Sequence, residues 1–214
     1  MDQAQNQYNE KMAKHVREAL EKRRMNAFFV DSKEKAKNEV LQMIPKNSTV
    51  FRCGSSSLDE MRLWEEISEI FGVELIDPFE QGISVEESFR RRVKGLSSDI
   101  LISSANAVTM DGKIVNLDGT GNRVAAMAFG PQKVILVVGM NKIVLDVGAA
   151  RERIRRYSAP ANSIRLNLGN PCTETGLCND CRSPSRICNI WSIIEGQMNK
   201  ERIHVVLVGE NLGY

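Results

Sequence analysis

The sequence has only two histidines, His15 and His204, and neither lies near another residue that could complete a catalytic cluster. A histidine-based catalytic triad is therefore not expected. No apolar run approaches the roughly 20 residues that a membrane-spanning helix needs. The polar N-terminus, MDQAQNQ, lacks the apolar core of a secretory signal. We therefore expect a cytoplasmic protein without a membrane span, in a reducing compartment where stable disulfides are rare.

The chain also has little net charge. Its 29 Lys and Arg residues against 27 Asp and Glu residues give +2, which gives no reason to expect a nucleic-acid partner. The basic run Arg90, Arg91, Arg92 with Lys94 is predicted to be a solvated helix face. A chain of 214 residues buries enough surface to be stable without disulfides, so its five cysteines need another explanation.

Apolar segments alternate with amphipathic ones along most of the chain. Short strands are predicted at 49–52, 74–76, 99–103, 133–138 and 203–208. Because several are apolar on both faces, they predict an α/β fold with a largely parallel sheet covered by helices. The pair Asp111-Gly112 predicts a hairpin, which favours a mixed sheet over a purely parallel one.

Two domain segments are expected. Residues 1–25 have apolar positions on one helical face, which predicts an amphipathic helix packed on the body of the protein or on a partner. Residues 26–214 form the α/β domain. Within it, Asp31, Ser57 (with Glu60) and Ser84 (with Glu87) are predicted to cap helices.

Four cysteines fall within 17 residues, with the spacing C-x5-C-x2-C-x6-C: Cys172, Cys178, Cys181 and Cys188. Pro171, Gly176 and Pro184 predict that this segment, 170–189, is a loop. Four thiolates suit either tetrahedral zinc or a [4Fe-4S] cluster, and the spacing does not choose between them. Four free thiols or two disulfides are the alternative. Cys53 stands apart, and we predict that it is a packing residue.

Two segments have the features of an anion site. Residues 118–123, DGTGNR, combine glycines with Arg123 ahead of a predicted helix, and Asn141 and Lys142 follow the strand 133–138. Ligands of open α/β sheets bind at the carboxyl ends of strands, so both segments could reach one crevice. Plain surface turns are the alternative. The candidate ligand-binding residues are Gly119, Gly121, Asn122, Arg123, Asn141 and Lys142.

Three stretches resemble the LUD (lactate utilization) domain family: SANAVTMDGKIV at 104–115, GTGNRVA at 119–125 and VILVVG at 134–139. The similarity extends over most of residues 10–208. The tail TGLCNDCRSPSRIC at 175–188 is similar to a cysteine-bearing branch of that family, like lactate utilization protein C. Within the first stretch, Asn106 joins the candidate ligand-binding residues.

The resemblance implies a fold similar to the NagB/RpiA/CoA-transferase group and a role in lactate or organic-acid utilisation. It also implies a redox complex with other iron–sulfur proteins and favours a [4Fe-4S] cluster over zinc. The alternative is a CoA-transferase- or isomerase-like enzyme that binds a small phosphate or carboxylate, with Asp111 as its acid or base. Family members often carry a glutamate where this chain has Met110, which weakens that alternative. A binding module that self-associates through its N-terminal helix is a third hypothesis.

Overall fold

The structure, a computed structural model, describes residues 3–214. Its strands are β1 Asn26–Val30, β2 Thr49–Arg52, β3 Glu74–Ile76, β4 Ile100–Ser103, β5 Ala107–Thr109, β6 Ile114–Asp118, β7 Lys133–Gly139, β8 Ile143–Val144, β9 Ile190–Ile194 and β10 Ile203–Val208. Six of them form a parallel sheet in the order β1-β10-β7-β4-β2-β3. The expected α/β class with a mostly parallel, helix-covered sheet is confirmed.

The helices are α1 Gln3–Lys22, α2 Lys33–Gln42, α3 Ser56–Glu60, α4 Leu63–Glu69, α5 Val85–Gly95, α6 Asn122–Ala128, α7 Val147–Arg153, α8 Ala159–Arg165 and α9 Pro171–Thr175. A 3-10 turn spans Met140–Lys142, and a π-helical turn, Ile154–Ser158, joins α7 to α8. Within residues 3–214, no helix is long and apolar enough to cross a membrane.

The hairpin joins a second sheet. Strands β5 and β6 pair antiparallel across the Asp111-Gly112 turn, and β8 and β9 complete the order β8-β5-β6-β9. The mixed character expected of the sheet therefore resides in this smaller sheet, while the main sheet is purely parallel. Gly112 has φ +83°, and a Cβ there would lie 2.6 Å from the Ala19 carbonyl carbon, so glycine is needed both for the turn and for α1 to pack beside it.

Both faces of the main sheet are covered. Along β7, Val134, Leu136 and Val138 pack with α1 and α6, whereas Ile135 and Val137 pack with α2 and α4. This alternation of two buried faces explains the continuous apolar run in the sequence. Helix α1 contributes Ala13, Val16 and Leu20 to the first of these clusters, so its apolar face packs on the body of the protein.

One of the three predicted helix caps matches the structure. Ser84 caps α5 and accepts a hydrogen bond from the Glu87 amide at 3.2 Å. The other two predictions were wrong by one or two residues, because Ser32 rather than Asp31 caps α2, and Ser55 occupies the N-cap position of α3. Ser57 is instead fully buried, where its hydroxyl accepts a hydrogen bond from Lys142.

Candidate functional site

A basic cavity of about 290 Å³ lies beyond the carboxyl ends of the neighbouring strands β2, β4 and β7. The segments that follow these strands and β6 bend over it, and the C-terminal residue Tyr214 closes one side. Among the described residues, its charged side chains are four basic and one acidic: Arg92, Arg123, Lys142, Arg165 and Asp118. The excess of positive charge in a concave, partly shielded space favours a small anion.

Lys142 is the most deeply buried of these cations, with 3% of its surface exposed. Its Nζ donates hydrogen bonds to Ser57 Oγ at 2.7 Å and Ser104 Oγ at 3.0 Å, and no carboxylate pairs with it within residues 3–214. Burial, reinforced by the nearby Arg153 and Arg123, lowers the pKa of Lys142 to about 7. Near neutral pH the cavity therefore holds a lysine that is partly in its neutral amine form.

Arg123 is held rigidly by its surroundings. It pairs with Asp118 at 2.9 Å and donates to Asn106 Oδ1 at 2.8 Å and to the Ser104 carbonyl at 3.0 Å. Asp118 in turn accepts from the backbone amides of Arg123 and Val124. Because Asp118 already balances its charge, Arg123 lines the cavity as a paired cation and holds Asn106 in place through their hydrogen bond.

Two polar atoms of the lining are buried and have no hydrogen-bond partner: Ser55 Oγ and Arg92 Nε. Arg92 stacks over the ring of Phe79, 5.6 Å from its centre, and both residues line the cavity. Buried polar groups are nearly always bonded, so a ligand that enters the cavity and shifts either side chain would meet an unpaired donor there. The sequence pattern indicates neither residue, and it wrongly predicts Arg92 on a solvated helix face. Arg90 of the same run is largely exposed.

The predicted ligand-binding residues divide into two groups. Five of them line the cavity: Asn106, Gly119, Asn122, Arg123 and Lys142. Gly121 lies in the same turn with φ +91° but does not line the cavity. Asn141 binds the C-terminal tail, donating to the Gly213 carbonyl at 3.0 Å and accepting from the Leu212 amide at 3.1 Å. It acts on the cavity indirectly, by holding the tail that carries Tyr214.

The predicted acid or base, Asp111, is not among the residues that line the cavity. Its carboxylate pairs with Arg23 at 2.8 Å and with Lys113 at 3.3 Å, and its pKa is lowered mainly by a hydrogen bond from Thr109. Arg23 follows helix α1, so the pair joins that helix to the β5–β6 turn. This arrangement gives Asp111 a structural role.

All four clustered cysteines border one small cavity of about 20 Å³, and residues of α8 line its other side. The segment is mostly irregular, although Pro171 begins the short helix α9, which contains Cys172. Arg186 ties it together by donating to the carbonyls of Cys181 and Cys188, and Asp180 pairs with Arg186 at 2.7 Å and with Arg155 at 2.9 Å. This cysteine cavity shares Ala159 and Ile187 with the basic cavity, so the two are direct neighbours.

The four cysteines suit a [4Fe-4S] cluster in number and in ligand chemistry. Within residues 3–214, no three His, Cys, Asp or Glu side chains are arranged to hold a single metal ion. The thiols are free and partly exposed, and burial together with neighbouring Cys178 raises the pKa of Cys188 to about 11. Cys53 is fully buried in the main core, where burial raises the pKa of its thiol to about 12, as a packing residue requires.

The LUD domain family model matches residues 13–208, which is most of the chain. The chain belongs to the LUD domain family. The resemblance seen in the sequence is therefore confirmed, and the family is one related to lactate utilisation.

A crystal structure of a DUF162 family protein from Deinococcus radiodurans is similar to this LUD-domain chain, with a TM-score of 0.54 and 14% sequence identity. The similarity covers 94% of this chain and 98% of the other. At this identity it supports the fold alone. No curated protein matches the sequence.

Proposed function

We propose that this LUD-domain protein acts in the use of lactate or a related organic acid by binding a small carboxylate or phosphate metabolite in the basic cavity. The observation that carries the proposal is the excess of basic over acidic side chains in the lining, which includes Arg92 and the buried Lys142. A volume of about 290 Å³ lies at the small end of ligand pockets, which favours a metabolite over a large cofactor.

We expect the variant R92A to weaken binding of lactate or pyruvate by about tenfold, because one charge-assisted hydrogen bond contributes roughly 1.5–3 kcal/mol. Isothermal titration calorimetry measures the affinity. The matched control is R90A, which removes a side chain that is 76% exposed and pairs with Glu87 three residues earlier on the same helix. Equal affinities for R92A and the unaltered protein, or an equal loss in R90A, would contradict the proposal.

We further propose that the four cysteines hold a [4Fe-4S] cluster, with zinc as the alternative. The proposal is supported by the four thiols around one cavity and by the adjacent Arg155 and Arg186, whose charges offset those of the thiolates. A [4Fe-4S] cluster, when bound, accepts or donates one electron. The cysteines are partly exposed, so the segment lies close enough to the surface for another iron–sulfur protein of a redox complex to approach it.

Anaerobic reconstitution with iron and sulfide tests the cysteine proposal. We expect brown protein with about four iron atoms per chain and an EPR signal after reduction. The variant C181S should lose most of this iron, whereas C53S, which removes a buried thiol from another part of the fold, should keep it. A colourless protein with stoichiometric zinc would overturn the cluster, and equal iron contents in C181S and the unaltered chain would overturn the site.

A further inference from the structure

We propose that Lys142 is a nucleophile that condenses with the carbonyl group of a small 2-oxo acid and holds it as an imine in the basic cavity. The inference rests on the proposed function, since the same cavity must first bind the carboxylate. It goes further by naming a covalent reaction, a substrate class and a reacting atom.

The surroundings of Lys142 favour a neutral amine. Its Nζ has two hydroxyl partners, Ser57 and Ser104, and no carboxylate partner within the described chain. The charged groups that act on it are Arg153 from α7, Arg123 from α6 and, with the opposite sign, Glu60 from α3. Burial and two neighbouring cations are the two conditions that activate lysines which form imines with carbonyl compounds.

The other cavity residues can position a 2-oxo acid. The guanidinium group of Arg92 and the hydroxyl group of Ser55, two residues of the cavity lining, offer donors for its carboxylate. Apolar lining from Ala105, Leu117 and Ile154 suits a short alkyl group. Lys142 also lines the cavity, so one ligand could contact the polar donors, the apolar side chains and the amine of Lys142.

The reaction balances without a further reagent. The nitrogen lone pair of Lys142 attacks the carbonyl carbon, and the carbon–oxygen π electrons move to the oxygen, which takes up a proton to give a carbinolamine. Departure of that hydroxyl group as water, with loss of the remaining nitrogen proton, leaves the carbon–nitrogen double bond. The hydroxyl of Ser104, 3.0 Å from Nζ, is placed to relay protons in both steps.

Borohydride trapping tests the proposal. The protein is incubated with pyruvate, reduced with sodium cyanoborohydride and analysed by peptide mass spectrometry. We expect one reduced pyruvyl group on Lys142, with a rate that rises as the pH passes through about 7, where burial places the pKa of this lysine. Lactate, which has a carboxylate but no carbonyl group, should slow the labelling by competition and should leave no adduct.

Two variants make the test specific. K142R keeps a cation beside the serines but cannot form the adduct, so labelling should disappear while the protein stays folded. K37R is the matched control, because Lys37 is also shielded, at 15% side-chain exposure, but pairs with Glu34 and Glu66, which raise its pKa. It should label like the unaltered chain.

The outcomes separate this proposal from the proposed function. If calorimetry shows that pyruvate binds but Lys142 carries no adduct, imine formation is overturned and the anion site stands. If pyruvate does not bind and no adduct forms, both fail. Labelling spread evenly over surface lysines, or persisting in K142R, would also overturn the assignment to Lys142.

Discussion

We expect the variant K142M to be more stable than the unaltered protein at pH 7, by about 2–4 kcal/mol. Burial lowers the pKa of Lys142 to about 7 in the folded state, whereas an unfolded chain has an ordinary lysine pKa of about 10.4. At about 1.4 kcal/mol per pKa unit, this difference favours the unfolded state at neutral pH, and the loss of two hydrogen bonds offsets part of the gain. Ser57 and Ser104 keep the Leu212 and Ala105 carbonyls as partners in the variant.

The pH dependence gives this prediction its sign. Between about pH 7 and pH 10.4 the unfolded chain binds a proton at Lys142 that the folded chain does not, so the stability of the unaltered protein rises with pH. In urea unfolding from pH 7 to pH 9, the free energy of unfolding should rise by up to about an additional 1.4 kcal/mol per pH unit, and this rise should be absent in K142M. If the free energy of unfolding depends on pH in the same way in both proteins, or if K142M is less stable at pH 7, then burial does not lower the pKa of Lys142 as expected.

We expect the variant R123A to lose about 3–5 kcal/mol of stability. The sign is opposite to that expected for K142M, although Arg123 is also a buried cation of the cavity. Arg123 is paired with Asp118, and both side chains are nearly inaccessible, at 12% and 11% exposure. Removing one partner of a buried pair leaves an uncompensated charge, and here it also removes the donor from the Leu117 and Ser104 carbonyls. Urea unfolding at pH 7 measures the loss.

Two further variants test the cause of that loss. R165A removes another cation of the same cavity, which within residues 3–214 bonds only to the side chain of Asn162, three residues earlier, so its stability should change by less than about 0.5 kcal/mol. D118N combined with R123A should recover part of the loss, because the orphaned carboxylate is then neutral. If R123A costs no more than R165A, the buried pair does not hold the cavity together.

The main sheet was predictable because each of its strands is recognisable from the pattern of apolar residues within that strand. The run at 134–138 is apolar at every position, and the structure buries alternate side chains on opposite faces, as a central parallel strand requires. The Asp111-Gly112 pair likewise identified the hairpin, because its turn needs a positive φ at the glycine. Nothing local showed that this hairpin would leave the main sheet, since that depends on its pairing with β9, some 75 residues later.

The site was only partly predictable for the same reason. Lys142 and Arg123 were found because both follow strands whose carboxyl ends meet. Arg92 could not be distinguished from Arg90 and Arg91, because its position is set by Phe79, which precedes the helix. Asn141 has the right residue type for a ligand contact, but its partners lie 71 and 72 residues further along the chain. Asp111 does not line the cavity, and its carboxylate pairs instead with Arg23, the residue after helix α1.

The basic cavity is proposed to place a buried, readily deprotonated lysine beside an anion site. NMR titration of protein with isotope-labelled lysine side chains measures the protonation of this lysine, and the Lys142 signal is assigned from its absence in K142R. In the free protein we expect that signal to titrate near pH 7, and saturating lactate should raise its pKa, because a bound carboxylate stabilises the ammonium form. A signal that titrates near pH 10 and does not respond to lactate would show that Lys142 is an ordinary lysine and that no anion binds beside it.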